Sequence, residues 1–206
     1  MSTFRLNNDR LLEVSLQNEK VMARAGAMVA YDGTIKFEKA ILGGEGLFGA
    51  LKRKVTNESL DVMTTSGTGT VYFANAAREV AVIPLQGEKV FVESSSLLAY
   101  DVTLQTNTVF AGLRGAASGQ GLFTTTIEGT GNLAVFSHGN LIMLDVTPGQ
   151  PLFVDPDAFV GYKGDIQQAF IFDVNWKTMI GHTSGESYQL KFTGTGVVYI
   201  QPSELK

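Results

Sequence analysis

The sequence predicts an all-β chain of three jelly-roll or sandwich-like repeats with pseudo-three-fold symmetry, and three observations carry that prediction. First, Gly-Thr-Gly occurs at 67–69, 129–131 and 194–196, with spacings of 62 and 65 residues. Second, each copy runs into a short apolar stretch of strand-forming residues: Val71–Phe73, Leu133–Phe136 and Val197–Ile200. Third, no stretch sustains a helical period; the best helical candidate, Gly46–Lys54, is short.

The surroundings of Gly-Thr-Gly make the repeat. Ser66–Tyr100 falls on Glu128–Tyr162 at an offset of 62 without a gap, with Gly67, Thr68, Gly69, Gly87, Phe91, Val92 and Tyr100 all matched. The first copy joins at an offset of 69, where Glu19, Lys20, Val21, Ala30, Tyr31 and Asp32 fall on Glu88, Lys89, Val90, Ala99, Tyr100 and Asp101. Tyr31, Tyr100 and Tyr162 are therefore equivalent positions. A further landmark precedes each Gly-Thr-Gly: Gly44-Glu45, Gly119-Gln120 and Gly185-Glu186. The gap from it to the next Gly-Thr-Gly is longest in the first copy. That places an insertion at about 47–60, outside the shared core.

Turn chemistry recurs at Gln17-Asn18-Glu19, Gln86-Gly87-Glu88 and Pro148-Gly149-Gln150. Asn and Gly accept positive φ, which predicts tight hairpin turns between flanking apolar strands such as Leu12–Leu16 and Val21–Ala23. The chain is expected to be a single domain, with repeats at about 17–85, 86–147 and 148–206. The third ends without a final strand. The spare copy, 11–16, is expected to complete it and so to cover a sheet edge.

Composition narrows the function classes. Charged residues are 17% and hydrophobic residues 44% of the 206, which supports a packed core. The net charge of −4 lacks the dense basic face that nucleic acids require, so no nucleic-acid partner is expected. Lys52, Arg53 and Lys54 form the one basic cluster, read as a solvated loop or as a contact for a partner or a lipid headgroup. There is no cysteine, which removes disulfides, thiolate catalysis and Cys-ligated metals and fits a reducing compartment. No signal peptide or apolar run of membrane-spanning length is visible, so no integral membrane segment and a cytoplasmic location are expected.

Catalytic, cofactor and metal sites are not expected. His138 and His182 occupy non-equivalent repeat positions, whereas a metal site needs converging ligands. No Gly-x-Ser-x-Gly elbow is present. Gly43-Gly44-Glu45-Gly46 lacks the Gly-Lys-Ser/Thr and helix of a phosphate loop. Glu45, Gln120 and Glu186 are the candidate interaction residues: facing the pseudo-axis they converge on a ligand or cation, while facing their own loops they cap backbone donors. The tyrosines read as interior rings with bonded hydroxyls rather than stacking platforms, and Trp176, near Phe170 and Phe172, as core.

The three Gly-Thr-Gly strands, the Gly43–Phe48 segment and the recurring tyrosine resemble the altered-inheritance-of-mitochondria family, in particular its bacterial members of unknown function. The resemblance covers about Leu11 to Pro202. It implies a fold like three fused copies of the tryptophan RNA-binding attenuation protein. Mitochondrial relatives are linked to inner-membrane organisation, which points to scaffolding. Tryptophan and RNA binding do not carry over, since the basic pattern is missing, and the long insertion after Phe48 departs from the family's compact first unit.

The function expected from the sequence is that of a non-catalytic interaction or scaffold protein with a protein partner. The alternative is a β domain binding a small molecule or carbohydrate between repeats. A divergent metalloenzyme or hydrolase ranks last. Apolar residues near loops, Phe110, Leu113 and Phe123, point to a homo-oligomer.

Overall fold

A computed structural model describes residues 2–40, 61–111, 122–172 and 188–202. The chain is all-β: among these residues the elements are antiparallel strands, apart from single 3₁₀ turns at Ser94–Ser96 and Pro156–Ala158. The helical candidate Gly46–Lys54 and the insertion at 47–60 lie outside the described residues. The chain divides into two compact units.

The first unit comprises Met1–Gly87, Ser94–Gln105 and Gly129–Phe136. Its strands are β1 (Thr3–Asn8), β2 (Leu11–Arg24), β3 (Met28–Tyr31), β4 (Thr34–Lys39), β5 (Val62–Phe73), the start of β6 (Glu79–Glu93), β7 (Leu97–Asp101) and the latter half of β9 (Leu122–Ser137). Part of the sheet runs β9-β7-β2-β5-β3, with β1 on β2 and β4 on β5. The core collects alternate residues of these strands: Leu12, Val14, Leu16, Val71, Phe73 and Phe136 are all buried. Each such side chain contributes about 1.5–3 kcal/mol on leaving water.

β2 shows how local chemistry sets the pattern. Leu12, Val14 and Leu16 are buried, and then the parity switches to Val21 and Ala23. The switch is a bulge. Gln17 pairs with Thr68 and Glu19 with Gly67, which leaves Asn18 as an extra residue, at φ +59. One extra residue flips every following side chain, so both halves of β2 keep their apolar side on the same core. The hairpin expected at Gln17–Glu19 is therefore corrected to a bulge. Both flanking stretches run along the same strand, Leu16 opposite Gly69 and Val21 opposite Thr65, instead of folding onto each other. The positive φ was correctly placed; its use was not.

The second unit comprises Glu88–Glu93, Thr106–Glu128 and Ser137–Lys206. Besides the ends of β6 and β9 it holds β8 (Gln105–Ala111), β10 (Ile142–Val146), β11 (Leu152–Val154), β12 (Phe159–Phe172) and β13 (Tyr188–Ile200). The path is β10-β13-β12-β6, with β11 also on β13 and β8 on β9. Its core is more aromatic than that of the first unit. Phe91 stacks on Tyr162 at 4.6 Å, and Phe159 on Phe192 at 5.5 Å. Gly149, at φ +82, lies in the turn closed by the Gln150 N–H to Thr147 carbonyl bond. Again the two sides of the turn share a partner: Val146 pairs with Gly196 and Leu152 with Phe192. Six steps on one side match four on the other, so two residues are extra and the buried parity of Val146 and Val154 is kept.

The N-terminal strand was expected to complete the third repeat. It does not: Leu12–Leu16 pairs with Phe73–Gly69 of β5, the first Gly-Thr-Gly strand. The matching register on β13 is occupied by β10, with Ile142 opposite Ile200 and Val146 opposite Gly196. The physical reason is the bulge. It keeps the stretch before Asn18 collinear with the stretch after it, so β2 cannot be shared between two Gly-Thr-Gly strands.

Candidate functional site

The Gly-Thr-Gly segments lie where one strand runs unusually close to the backbone of its neighbour. Gly67 has φ +133 and Gly69 φ +146. A Cβ on Gly67 would run into the Thr34 carbonyl oxygen, and one on Gly69 into that of Asp32. Gly194 and Gly196 meet the carbonyls of Asp165 and Lys163 in the same way. The second copy is looser, with Thr103 O 3.3 Å from the position a Cβ on Gly129 would take. These glycines serve backbone approach, which only a residue without a side chain permits at that φ. The phosphate-loop candidate Gly43–Gly46 lies outside the described residues.

Beside this close approach the recurring tyrosines share one register. Tyr31 pairs with Val71, Tyr100 with Leu133 and Tyr162 with Val198, each two residues beyond the second glycine of its Gly-Thr-Gly. On their other side, two of the three meet a further strand. Met22 pairs with Tyr100, flanked by Val21 with Asp101 and Ala23 with Ala99. Phe91 pairs with Tyr162, flanked by Val90 with Lys163 and Val92 with Gly161. These two strand joints have identical register. Tyr100 and Tyr162 are 2% and 8% exposed. The interior reading thus holds for them, while Tyr31 is 50% exposed and packs edge-on to Phe37 at 5.3 Å.

The residue after each tyrosine carries the polar chemistry. Asp32 Oδ1 accepts the Thr70 N–H at 3.0 Å. Asp101, 2% exposed, accepts the equivalent Asn132 N–H at 2.7 Å and the Asn132 Nδ2 at 3.0 Å, and the Ser2 hydroxyl donates to its other oxygen. Hydrogen bonds of this kind offset the cost of burying the carboxyl group. Lys163 holds the third position, and its ammonium donates to Glu88 Oε1 at 2.9 Å. That bond, outweighing partial burial, raises the Lys163 pKa above its ordinary value. Burial raises the Tyr162, Tyr188 and Tyr199 phenols in the second unit.

Other sequence candidates divide plainly. Glu45, Gln120, Glu186, Lys52, Arg53 and Lys54 lie outside the described residues, as do Trp176, His182 and Leu113, and the Phe110 and Phe123 side chains. His138 is in the turn after β9, with its backbone N–H bonded to Gln201 Oε1 at 3.0 Å. Among the described residues, no three ligating side chains gather around a point that could hold a metal. A concavity of ≈ 230 Å³ beside Ala25, Phe37, Lys39, Asp61 and Met63 is open to solvent and smaller than usual ligand pockets. The Asp101–Asn132 network was missed from sequence. Its signal was present: an acid follows Tyr31 and Tyr100, and a residue with a free N–H follows each Gly-Thr-Gly.

The chain matches no curated protein. Among solved structures it is similar to the crystal structure of protein SPYM3_0169 from Streptococcus pyogenes. The TM-score is 0.75 and the identity 23%, over 99% of this chain and 94% of that one, a likeness of fold. The profile of the family described as mitochondrial biogenesis AIM24 matches residues 4–203. No helix among the described residues is long and apolar enough to cross a membrane. With that match spanning almost every residue, the chain belongs to the AIM24 family.

Proposed function

We propose that this protein is a non-catalytic interaction scaffold. It is built of three consecutive repeats like those of the tryptophan RNA-binding attenuation protein, each running from its own apolar strand to its own Gly-Thr-Gly strand. The observation that carries the proposal is the fate of the glycine motifs. The most chemistry-like feature of the sequence is spent on close backbone approaches at Thr34, Asp32, Asp165 and Lys163. Register supports the three-fold reading, since all three tyrosines keep one relation to Gly-Thr-Gly. The family's description, mitochondrial biogenesis, names a cellular process and no reaction. Absence of cysteine suits a reducing, cytoplasmic setting.

Glu45, Gln120, Glu186 and the Lys52–Lys54 cluster are proposed as contacts for a protein partner. The test is affinity capture from the native cell with the full chain and with a chain lacking 47–60. A specific protein retained by the first and lost by the second supports both the scaffold and its contact loop. Identical partners would remove the loop from the proposal. Stoichiometric bound metal, or turnover by the purified chain, would overturn the scaffold reading itself.

A further inference from the structure

We propose that the outer edge of β10 receives an extended, antiparallel segment of a protein partner, one that carries in order a basic residue, a large apolar residue, any residue and a second large apolar residue. The inference rests on the scaffold reading and names the kind of partner contact. It follows from a strand position that the chain covers once and leaves open once. In the first unit Leu12, Val14 and Leu16 lie opposite Phe73, Val71 and Gly69 of a Gly-Thr-Gly strand. In the second unit Ile142, Leu144 and Val146 lie opposite Ile200, Val198 and Gly196 in the same register. The other edge of Leu12–Ser15 carries β1, with Thr3 opposite Ser15, Phe4 opposite Val14 and Leu6 opposite Leu12. Among the described residues β10 pairs with β13 alone.

The backbone of this edge is turned outward. Thr70 spends both its backbone groups on Asp32: its N–H reaches Asp32 Oδ1 and its carbonyl accepts the Asp32 N–H. Ser15, opposite Thr70, therefore turns its own N–H and carbonyl the other way, toward Thr3. Asp145 lies opposite Val197, which follows Gly196 as Thr70 follows Gly69. It presents the same two groups away from β13, and so does Met143, two residues back. In the middle copy the offset of 69 puts Pro84 at the Ser15 position, where the missing N–H blunts the edge. β10 has no such block.

The side chains say what fits. Leu12 and Val14 are fully buried, and Phe4 of β1 packs on the same core. Ile142, in the place of Leu12, is 37% exposed, and Leu144, in that of Val14, is half-buried. An incoming strand covers both with apolar residues at the Phe4 and Leu6 positions. In the first unit an ion pair flanks the contact, Arg5 with Glu13 at 2.8 Å. On β10 the acid is the exposed Asp145, so the partner's basic residue belongs at the Thr3 position. Within the described residues the required order occurs only at Lys89–Val92, inside β6, which is already paired on two sides by β12 and β9. The occupant is therefore a different protein, bound as an added strand.

The probe is a fluorescein-labelled peptide with the sequence of residues 2–8 and Lys in place of Thr3. Its anisotropy is expected to rise saturably with the full chain. Asp145→Pro, which copies Pro84, is expected to weaken binding at least about tenfold with circular dichroism unchanged. Asp145→Lys is expected to weaken it about twofold to fivefold, and a peptide with Glu at the same place to recover the loss. No saturable binding, or binding that neither substitution changes, overturns the proposal. The chain has no cysteine, so location can be read by cross-linking. A peptide with Cys in place of Thr3 is expected to form a disulfide with Asp145→Cys, since opposed residues lie within about 5.5 Å. Glu38→Cys on the exposed part of β4 is expected to react at least about tenfold less. Equal cross-linking overturns the site. Self-association of the chain that Asp145→Pro abolishes assigns the edge to a second copy and overturns the occupant. Capture of the same cellular protein with and without Asp145→Pro removes this edge and leaves the scaffold reading. Turnover by the purified chain removes the scaffold reading while peptide binding at Asp145 stands.

Discussion

The two strand joints solve one problem with different chemistry. In the first unit β2 meets β7, and in the second β6 meets β12, in the same register around a buried tyrosine. Their flanks differ. Asp101 is sealed among Ser2 and Asn132, whereas Lys163 reaches a half-exposed Glu88. Backbone geometry and ring packing therefore carry the register, and the polar neighbour is a local choice. Acid and base can exchange at one position because each brings its own partner.

The largest test of that comparison is at the close approaches. Gly194→Ala drives a Cβ into the Asp165 carbonyl at a φ of +120, and about 4 kcal/mol should be lost. Gly129→Ala has the same φ problem but 3.3 Å of room, so about 2 kcal/mol is expected. Urea midpoints of the two variants, referred to the unmodified chain, measure the difference; equal losses would erase the distinction between tight and loose copies. The flanking groups come next. Asp101→Ala strands the Asn132 N–H and should cost about 2–3 kcal/mol. Glu88→Gln breaks an exposed pair and should cost below about 1 kcal/mol. A similar loss for both would show that burial of Asp101 is not what separates the joints.

Alkali should act on the second unit's tyrosine cluster. Tyr162, Tyr188 and Tyr199 have phenol pKa values raised in the fold by burial. The fold prefers their neutral form, so nothing is lost below the ordinary value near 10, and stability falls as pH climbs through and above it. Denaturation followed at pH 9 and at about pH 11, with Tyr162→Phe for comparison, checks this. The variant should lose less at the higher pH. The smallest effect is a gain. The Thr65 hydroxyl is buried with no bonding partner among the described residues, so Thr65→Val should add up to about 1 kcal/mol, read as a raised melting temperature.

The fold class and the shared register of Tyr31, Tyr100 and Tyr162 against Gly-Thr-Gly were legible because sheet register follows the sequence offsets here. Asn18 was legible as a positive-φ residue but not as a bulge. A lone residue of that conformation serves a hairpin or a bulge equally, and only the partner strand, some 50 residues away at Thr68, decides. The parity switch between Leu16 and Val21 was the available clue. The Asp101 network was half legible: the acid after the tyrosine and the residue after Gly-Thr-Gly recur together, but the arrival of Ser2 at Asp101 follows from no spacing in the chain.

The bulge in β2 has a consequence for how such a chain tolerates change in length. Its irregularity lies mid-strand, and the two sides are fixed independently by the same neighbour. One surplus residue sits there in the first unit and two in the second, yet pairing resumes on both sides. An insertion or deletion at Asn18 or Gly149 is thus confined to a few atoms of surface chain, as if the strand were two words separated by a space of adjustable width. Evolution can edit the space while both words stay readable.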